Sequence, residues 1–367
     1  MISNKVKADV VIVGAGIAGL YLSKKLEEAG IKYFTLEKRS KIGTYGPRIL
    51  SLETIEKLQI PTEKLIRPIK EINFYSPKNH KISKKGEEVR GYTTNLEDIE
   101  WHVFNSLKNK NNILFEHNVV DFDLNANVVK TSKGEFKFKA LVLATGVLGV
   151  KFRDKLEISH PKSVFCYAVE LNANDEITTI LHNDLAKGFY GWIIPIGENR
   201  IEIGIGANNL QNPNQKEFHN RLFKLPYLRK YKFHKHERIN AGYIPTSMIE
   251  KKSNHNWIVI GDAAGGEPML GGSIHKCIDE ASIASEVISD FLKYKVSSLS
   301  EYEKKWEAHF GEEMKNQKTV RSLLDKAKNE HFDKVFKKLQ NQPIDGKGLI
   351  NDLFRNIVIN VKEHVES

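Results

Sequence analysis

Apolar positions along the chain form short continuous runs interspersed with helical stripes through the first 260 residues and helical stripes alone thereafter. Val10 to Val13 is an unbroken β-branched run, the pattern of a strand buried on both faces. Residues 17–29 then predict a helix and 33–36 a second buried strand, which makes a βαβ unit of the first forty residues. Residues 41–48 carry two glycines and a proline and predict a shaped loop. Ser51 is placed to cap a helix over 53–58. Residues 69–76 and 81–83 predict strands around a turn at Asn79. Ile99, Val103, Phe104 and Leu107 lie on one helical stripe within 96–108, after Asn95. Strand-like pieces follow at 113–115, 119–122, 128–131 and 136–138, with a hairpin turn at Lys133 and Gly134. Residues 140–146 are an apolar run ending in Thr145 and Gly146, which reads as another buried parallel strand.

The texture changes near Val164. Residues 164–171, 178–182, 191–196 and 200–207 are β-rich and joined by hairpin turns, which predicts a mixed or antiparallel sheet outside the first unit. Helix is expected over 211–225, a strand over 232–240, a buried strand from Trp257 to Ile260, and a helix over 273–294. Residues 299–367 are lysine-rich and helical, with a break near Pro343. In that tail Phe332, Val335, Phe336 and Leu339 fall at i, i+3, i+4 and i+7, with Lys334, Lys337 and Lys338 off the stripe. Such a face either packs on the rest of the protein or rests in a lipid headgroup layer.

Composition narrows the class. With 367 residues, the chain is too long for one compact core and predicts two domains plus an extension. A hydrophobic fraction of 40% and a charged fraction of 28% are those of a soluble globular protein. No apolar run spans a bilayer, and the first strand begins too early for a secretory leader. Cys166 and Cys277 have no metal or redox spacing, so a reducing, cytoplasmic location is expected. The net charge of +10 is dispersed lysine rather than an arginine tract. It fits an anionic membrane or substrate better than nucleic acid, for which no module is present.

The chemistry concentrates where strands end in glycine. Gly14, Gly16 and Gly19 have GxGxxG spacing between a strand and a helix, the arrangement that brings a pyrophosphate to free N–H groups at a helix N-terminus. Glu37 ends the next strand about twenty residues on, where an acid accepts hydrogen bonds from both ribose hydroxyls and repels a 2′-phosphate. The nucleotide expected is therefore FAD or NAD. A second glycine-rich stretch runs from Gly261 and Asp262 to Gly271, Gly272, Ser273 and Ile274. Its acid can bond a ribityl or ribose hydroxyl, and the following helix aims its positive end at an electron-rich ring edge.

These motifs, with Lys38, Arg39 and the Ala144-Thr145-Gly146 turn, resemble the FAD-binding fold shared by p-hydroxybenzoate hydroxylase and glutathione reductase relatives, over most of residues 8–290. Residues 188–206, with Tyr190, Trp192 and Pro195, are similar to the YxWxFP and VGIG signature of the geranylgeranyl reductases, flavoenzymes that saturate isoprenoid chains. Ile194 stands where that signature has Phe, no Cys occupies residues 44–48, and Asn95 stands where the family has Arg.

The resemblance implies an α/β protein: a Rossmann-like FAD-binding domain (1–66, 91–150 and 246–290), a mixed or antiparallel-sheet substrate domain (67–90 and 151–245) and a C-terminal helical region (291–367). It implies FAD contacts from Gly14, Gly16, Ala18, Gly19, Glu37, Lys38, Arg39, Arg48, Val119, Ala144, Thr145, Gly146, Gly261, Asp262, Gly271, Gly272, Ser273 and Ile274. Substrate contacts are implied from Tyr190, Trp192 and Pro195, one aromatic and rigid surface for a chain without polar handles. His275 and Tyr45 are candidate acids for protonating a reduced double bond. No metal is expected. No second dinucleotide fingerprint is present, so electrons would come from NAD(P)H bound transiently or from a ferredoxin-like carrier protein. The activity implied is reduction of isoprenoid C=C bonds in lipid biosynthesis, with an isoprenoid lipid as substrate and peripheral contact at the inner face of a membrane. A flavin monooxygenase or halogenase-like enzyme and a flavoprotein electron-transfer partner remain alternatives.

Overall fold

The computed structural model describes residues 6–208, 214–231, 238–340 and 350–365. Its centre is a five-stranded parallel sheet in the order 257–259, 140–143, 10–13, 33–36, 113–114. Helices Ile17–Glu28, Leu96–Ser106 and Ile274–Leu292 cover one face and share an apolar core with it. A four-stranded sheet built mainly from 119–137 covers the other face through Phe122, Val129 and Phe136. Burial on both sides is why these strands read as continuous apolar runs.

A seven-stranded sheet stands beside this unit, in the order 239–245, 163–172, 200–207, 191–197, 177–180, 71–75, 81–85. It is antiparallel except where 71–75 runs parallel to 177–180. Ile193, Ile201, Ile203 and Ile205 face helix Gln215–Lys224 on its outer side. A three-stranded sheet of 47–51, 91–95 and 67–68 was not legible in the sequence. The segment after Gly46 does not stay a loop: Pro47 to Ser51 pair with 91–95, a partner some forty residues away.

Helix Glu301–Lys326 ties the parts together. Tyr302, Trp306, Phe310 and Met314 enter the core around the parallel sheet, and Val320, Leu323 and Leu324 enter the core under strands 71–85. Helix Asn329–Leu339 places Phe332, Val335, Phe336 and Leu339 in that second core, at 0–9% exposure, beside Phe354 and Val358 of helix Ile350–Val365. The stripe is therefore a packing face, and the docked helix cannot also lay it in a headgroup layer. No helix among the described residues is long and apolar enough to cross a membrane. The expected helix over 211–225 appears as Gln215–Lys224 and the strand over 232–240 as Ile239–Pro245. Residues 211–213, 232–237 and the break near Pro343 lie outside the described residues.

Candidate active site

The first glycine turn is jammed against its neighbours. Gly14 has φ of 106°, and a Cβ there would stand 2.4 Å from the Ala144 carbonyl oxygen; one at Gly19 would stand 2.0 Å from the Gly14 carbonyl oxygen. The turn, the following helix and the segment just past strand 140–143 at Ala144 thus meet as backbone on backbone, where only glycine fits. Gly16 is the N-cap of helix Ile17–Glu28 and caps no N–H with a side chain, and the first turn holds no acid. Its amides and dipole face an open end suited to an anion.

Glu37 lies beside that end. Its carboxylate accepts from Ala15 N–H at 2.9 Å, Arg39 N–H at 2.8 Å and Arg39 Nε at 3.1 Å. Burial opposes its ionisation, but the Arg39 guanidinium and the two amides outweigh that and hold the carboxyl below its usual range. Arg39 also donates to the Gly43 carbonyl at 3.2 Å and to Thr44 Oγ1 at 2.9 Å, fixing the loop that follows. Glu100, unmarked by any sequence motif, is 1% exposed and accepts from Thr44 N–H at 2.8 Å. Burial pushes its carboxyl up. Lys38 is exposed, whereas the side chains of Ala18 and Val119 are buried.

The second glycine turn forms the other end. Gly261 begins a single 3-10 turn at the end of strand Trp257–Val259, and Ser273 caps helix Ile274–Leu292 by accepting from Lys276 N–H. Among the described residues no protein donor bonds the Asp262 carboxylate, and burial pushes its pKa up. Thr145 Oγ1 is buried without a hydrogen-bond partner among the described residues. A carboxylate and a hydroxyl left unsatisfied between two glycine turns are the groups a polyhydroxylated ligand would complete.

Two buried cations hold this end in shape, and neither was visible as a site residue in the sequence. Lys276 and Glu280 are both fully buried, with Nζ 3.0 Å from Oε1. Glu280 also accepts Gly261 N–H at 2.7 Å and Trp306 Nε1–H at 2.9 Å, joining the turn to two helices. Arg153, 2% exposed, donates to the Val147 carbonyl at 2.6 Å and to the Gly146 and Ala263 carbonyls at 3.4 Å. It staples the Thr145–Gly146 turn to the Asp262 turn. The i, i+4 spacing of Lys276 and Glu280 was present in the sequence, but nothing there marks the pair as buried.

The inner face of the seven-stranded sheet carries the aromatic signature. Trp192 lies opposite Gly204 in the ladder, and a Cβ at Gly204 would stand 2.0 Å from its indole, so the ring rests flat on bare backbone. Its Nε1–H reaches Glu202 at 3.1 Å. Tyr190 donates to the Leu270 carbonyl at 2.9 Å and stacks on Phe189 with centroids 4.1 Å apart. This connects the signature to the loop before Gly271. Pro195 does not join them: it is three residues beyond Trp192 in strand Gly191–Gly197, and strand alternation turns it to the outer face with Ile193. The expectation of one shared surface holds for Tyr190 and Trp192 alone.

The two candidate acids are both engaged. Tyr45 hydrogen-bonds Glu170, and Arg238 lies 3.4 Å from the centre of its ring. Burial, then the Glu170 hydrogen bond, pushes its phenol up to about 12. His275 Nε2 stands 2.8 Å from buried Glu267 Oε1, which outweighs burial and raises the imidazole pKa. It borders a cavity of about 280 Å³ shared with Phe310, Met314, Gln317 and Arg355, on the side of the C-terminal helices. Arg48, in strand Pro47–Ser51, bears a charge that opposes the upward pKa shifts of Glu100, Glu202 and Asp262. No cluster that could hold a metal occurs among the described residues. Both cysteines are free and buried, and burial pushes both thiols up, so neither is poised for disulfide exchange.

Comparisons with known proteins agree with this geometry. Residues 8–166 match the pyridine nucleotide-disulphide oxidoreductase family. The fold and the two glycine turns define an FAD-dependent oxidoreductase. Across nearly its whole length the chain is 25% identical to an uncharacterized protein of Methanocaldococcus jannaschii, covering 98% of this chain and 95% of that one. It is 26% identical to a digeranylgeranylglycerophospholipid reductase of the same organism, over 92% of each. Its fold matches a geranylgeranyl bacteriochlorophyll reductase-like protein of Thermoplasma acidophilum, with a TM-score of 0.84, 18% identity and 99% coverage of both chains.

Proposed function

We propose that this protein reduces C=C bonds of an isoprenoid chain on a lipid, drawing electrons through FAD. The observation that carries the reading is the aromatic wall of Tyr190 and Trp192, tied through Leu270 to the second glycine turn. Supporting it is the similarity to a digeranylgeranylglycerophospholipid reductase. Residues 1–66, 91–150 and 246–290 would bind the cofactor, 67–90 and 151–245 the substrate, and 291–367 would brace the two.

In this reading Gly14, Gly16, Ala18 and Gly19 receive the pyrophosphate at the open helix end. Glu37 takes the ribose hydroxyls by exchanging Arg39 contacts for them. Asp262 and Thr145 gain the partners they lack, and Gly271 to Ile274 cover the ring edge. Bound FAD supplies hydride from its reduced ring. Tyr190 and Trp192 hold an alkene by shape and apolar contact, which also keeps water from the reacting bond. Transiently bound NAD(P)H or a carrier protein would deliver the electrons. Peripheral membrane contact, where the lipid is collected, would use surfaces other than the docked stripe of helix Asn329–Leu339.

The test is anaerobic photoreduction of the yellow protein followed by mixing with geranylgeranyl lipids. Flavin reoxidation, with the lipid gaining two hydrogens per bond, supports the reading. Reoxidation by oxygen alone, with a hydroxylated or halogenated product, would replace it with the monooxygenase or halogenase alternative.

A further inference from the structure

The inner face of the substrate sheet carries an acid that no sequence motif marks. Glu202 lies in strand Arg200–Ala207, otherwise apolar or glycine after its first residue, and is 4% exposed. Strand alternation puts it on the same face as Gly204, hence on the face covered by the Trp192 indole. Its two oxygens accept from Trp192 Nε1–H at 3.1 Å and Asn240 Nδ2–H at 2.6 Å, both neutral donors.

Directly across the ladder, on the same face, stands Glu170. Glu170 has the charged partner: Arg200 Nη2 at 2.6 Å, with the Tyr45 hydroxyl also bonded to it. Two carboxylates opposite one another in a buried ladder repel, and the one with no cation hydrogen-bonded to it is the one that keeps its proton. Burial first, then the Glu170 charge, pushes the Glu202 carboxyl up, against the opposing Trp192 and Asn240 hydrogen bonds and Arg48. A neutral carboxylic acid is also the form of acid that an apolar alkene pocket accommodates at least cost.

We propose that Glu202, held between Trp192 and Asn240 on the aromatic face, is the acid that protonates the substrate double bond. This rests on the isoprenoid reductase reading. With FAD bound and reduced, one alkene carbon would receive two electrons as hydride. The Glu202 O–H bond breaks as a C–H bond forms at the other carbon, leaving saturated product and a carboxylate. Solvent restores the proton to Glu202 after product leaves; Glu170 across the ladder is paired with Arg200, whose side chain is 46% exposed, so this row reaches the surface. Tyr45 and His275 are displaced from this role: the first is the weaker acid and spends its hydroxyl on Glu170, and the second is bound to Glu267 beside the cavity on the side of the C-terminal helices.

The substitution Glu202→Gln keeps an acceptor for Trp192 and an amide for Asn240 but has no acidic proton. Two measurements test it. Infrared difference spectra of wild-type and Glu202→Gln protein at pH 7 should show a protonated-carboxyl C=O band, shifted in D2O, in wild type only. Stopped-flow mixing of photoreduced enzyme with geranylgeranyl lipid should show reoxidation slowed at least about a hundredfold in Glu202→Gln at saturating lipid, with FAD content unchanged. If Glu202→Gln loses FAD, Glu202→Asp replaces it, and the same reaction should be slowed while its solvent isotope effect persists. No wild-type carboxyl band overturns the proposal whatever the rates. An unchanged limiting rate, or an effect on lipid affinity alone, overturns it and leaves the reductase reading standing. Wild-type enzyme that no isoprenoid reoxidises removes both.

Discussion

Glu280→Gln should be among the most damaging single substitutions in the cofactor unit, and its damage should depend on pH in a known direction. In the native protein Lys276 and Glu280 are fully buried 3.0 Å apart, and Glu280 also receives Gly261 N–H and Trp306 Nε1–H. Removing one partner of a buried pair costs about 3–5 kcal/mol, because the remaining charge keeps its desolvation penalty and loses its compensation. Burial alone would lower the Lys276 pKa; the carboxylates, Glu280 foremost, reverse that and raise it. In the native protein, then, the pair's contribution is fully present below the unfolded lysine value and is lost only as pH rises through the raised folded value. In Glu280→Gln the reversal goes and burial remains, so the folded pKa of Lys276 falls below its unfolded one. The unfolded state then binds the extra proton and the variant gains stability with rising pH. Urea melts of FAD-saturated wild type and variant at pH 6 and pH 9 read this directly. The gap should be about 3–5 kcal/mol at pH 6 and clearly smaller at pH 9. A gap below about 1 kcal/mol, or one that widens with pH, would refute the reasoning.

Glu37→Ala removes the acceptor for the ribose hydroxyls and should weaken FAD by about 1–3 kcal/mol, read by titrating flavin into apoprotein. Gly204→Ala would set a Cβ 2.0 Å from the Trp192 ring. It should therefore cost about 1–3 kcal/mol in stability and slow lipid-dependent flavin reoxidation, with FAD still bound. Trp192→Ala should slow the same reaction and leave flavin content intact; loss of FAD would show the indole to be structural instead. Phe336→Ala should destabilise the protein by about 3–5 kcal/mol in a urea melt, since the ring is fully buried, and a loss below about 1 kcal/mol would argue against a packing face.

The parallel sheet and both glycine turns were legible in the sequence because their causes are local. A strand buried on both faces must be apolar throughout, and a turn that presses backbone on backbone must be glycine, as at Gly14 and Gly19. Glu37 was found because its distance from Gly14 is set by one βαβ unit. The tertiary structure decided what depends on partners distant in sequence. Pairing with 91–95 makes 47–51 a strand despite its proline. Sheet alternation separates Pro195 from Trp192, which their proximity in sequence concealed. The stripe from Phe332 to Leu339 reads alike as a membrane face or a packing face, and only the core beneath strands 71–85 assigns it to packing. Glu100, Arg153, Glu202, Lys276 and Glu280 look like surface charges in the sequence. Their chemistry comes from burial and from the neighbour each meets, and no sequence spacing states either.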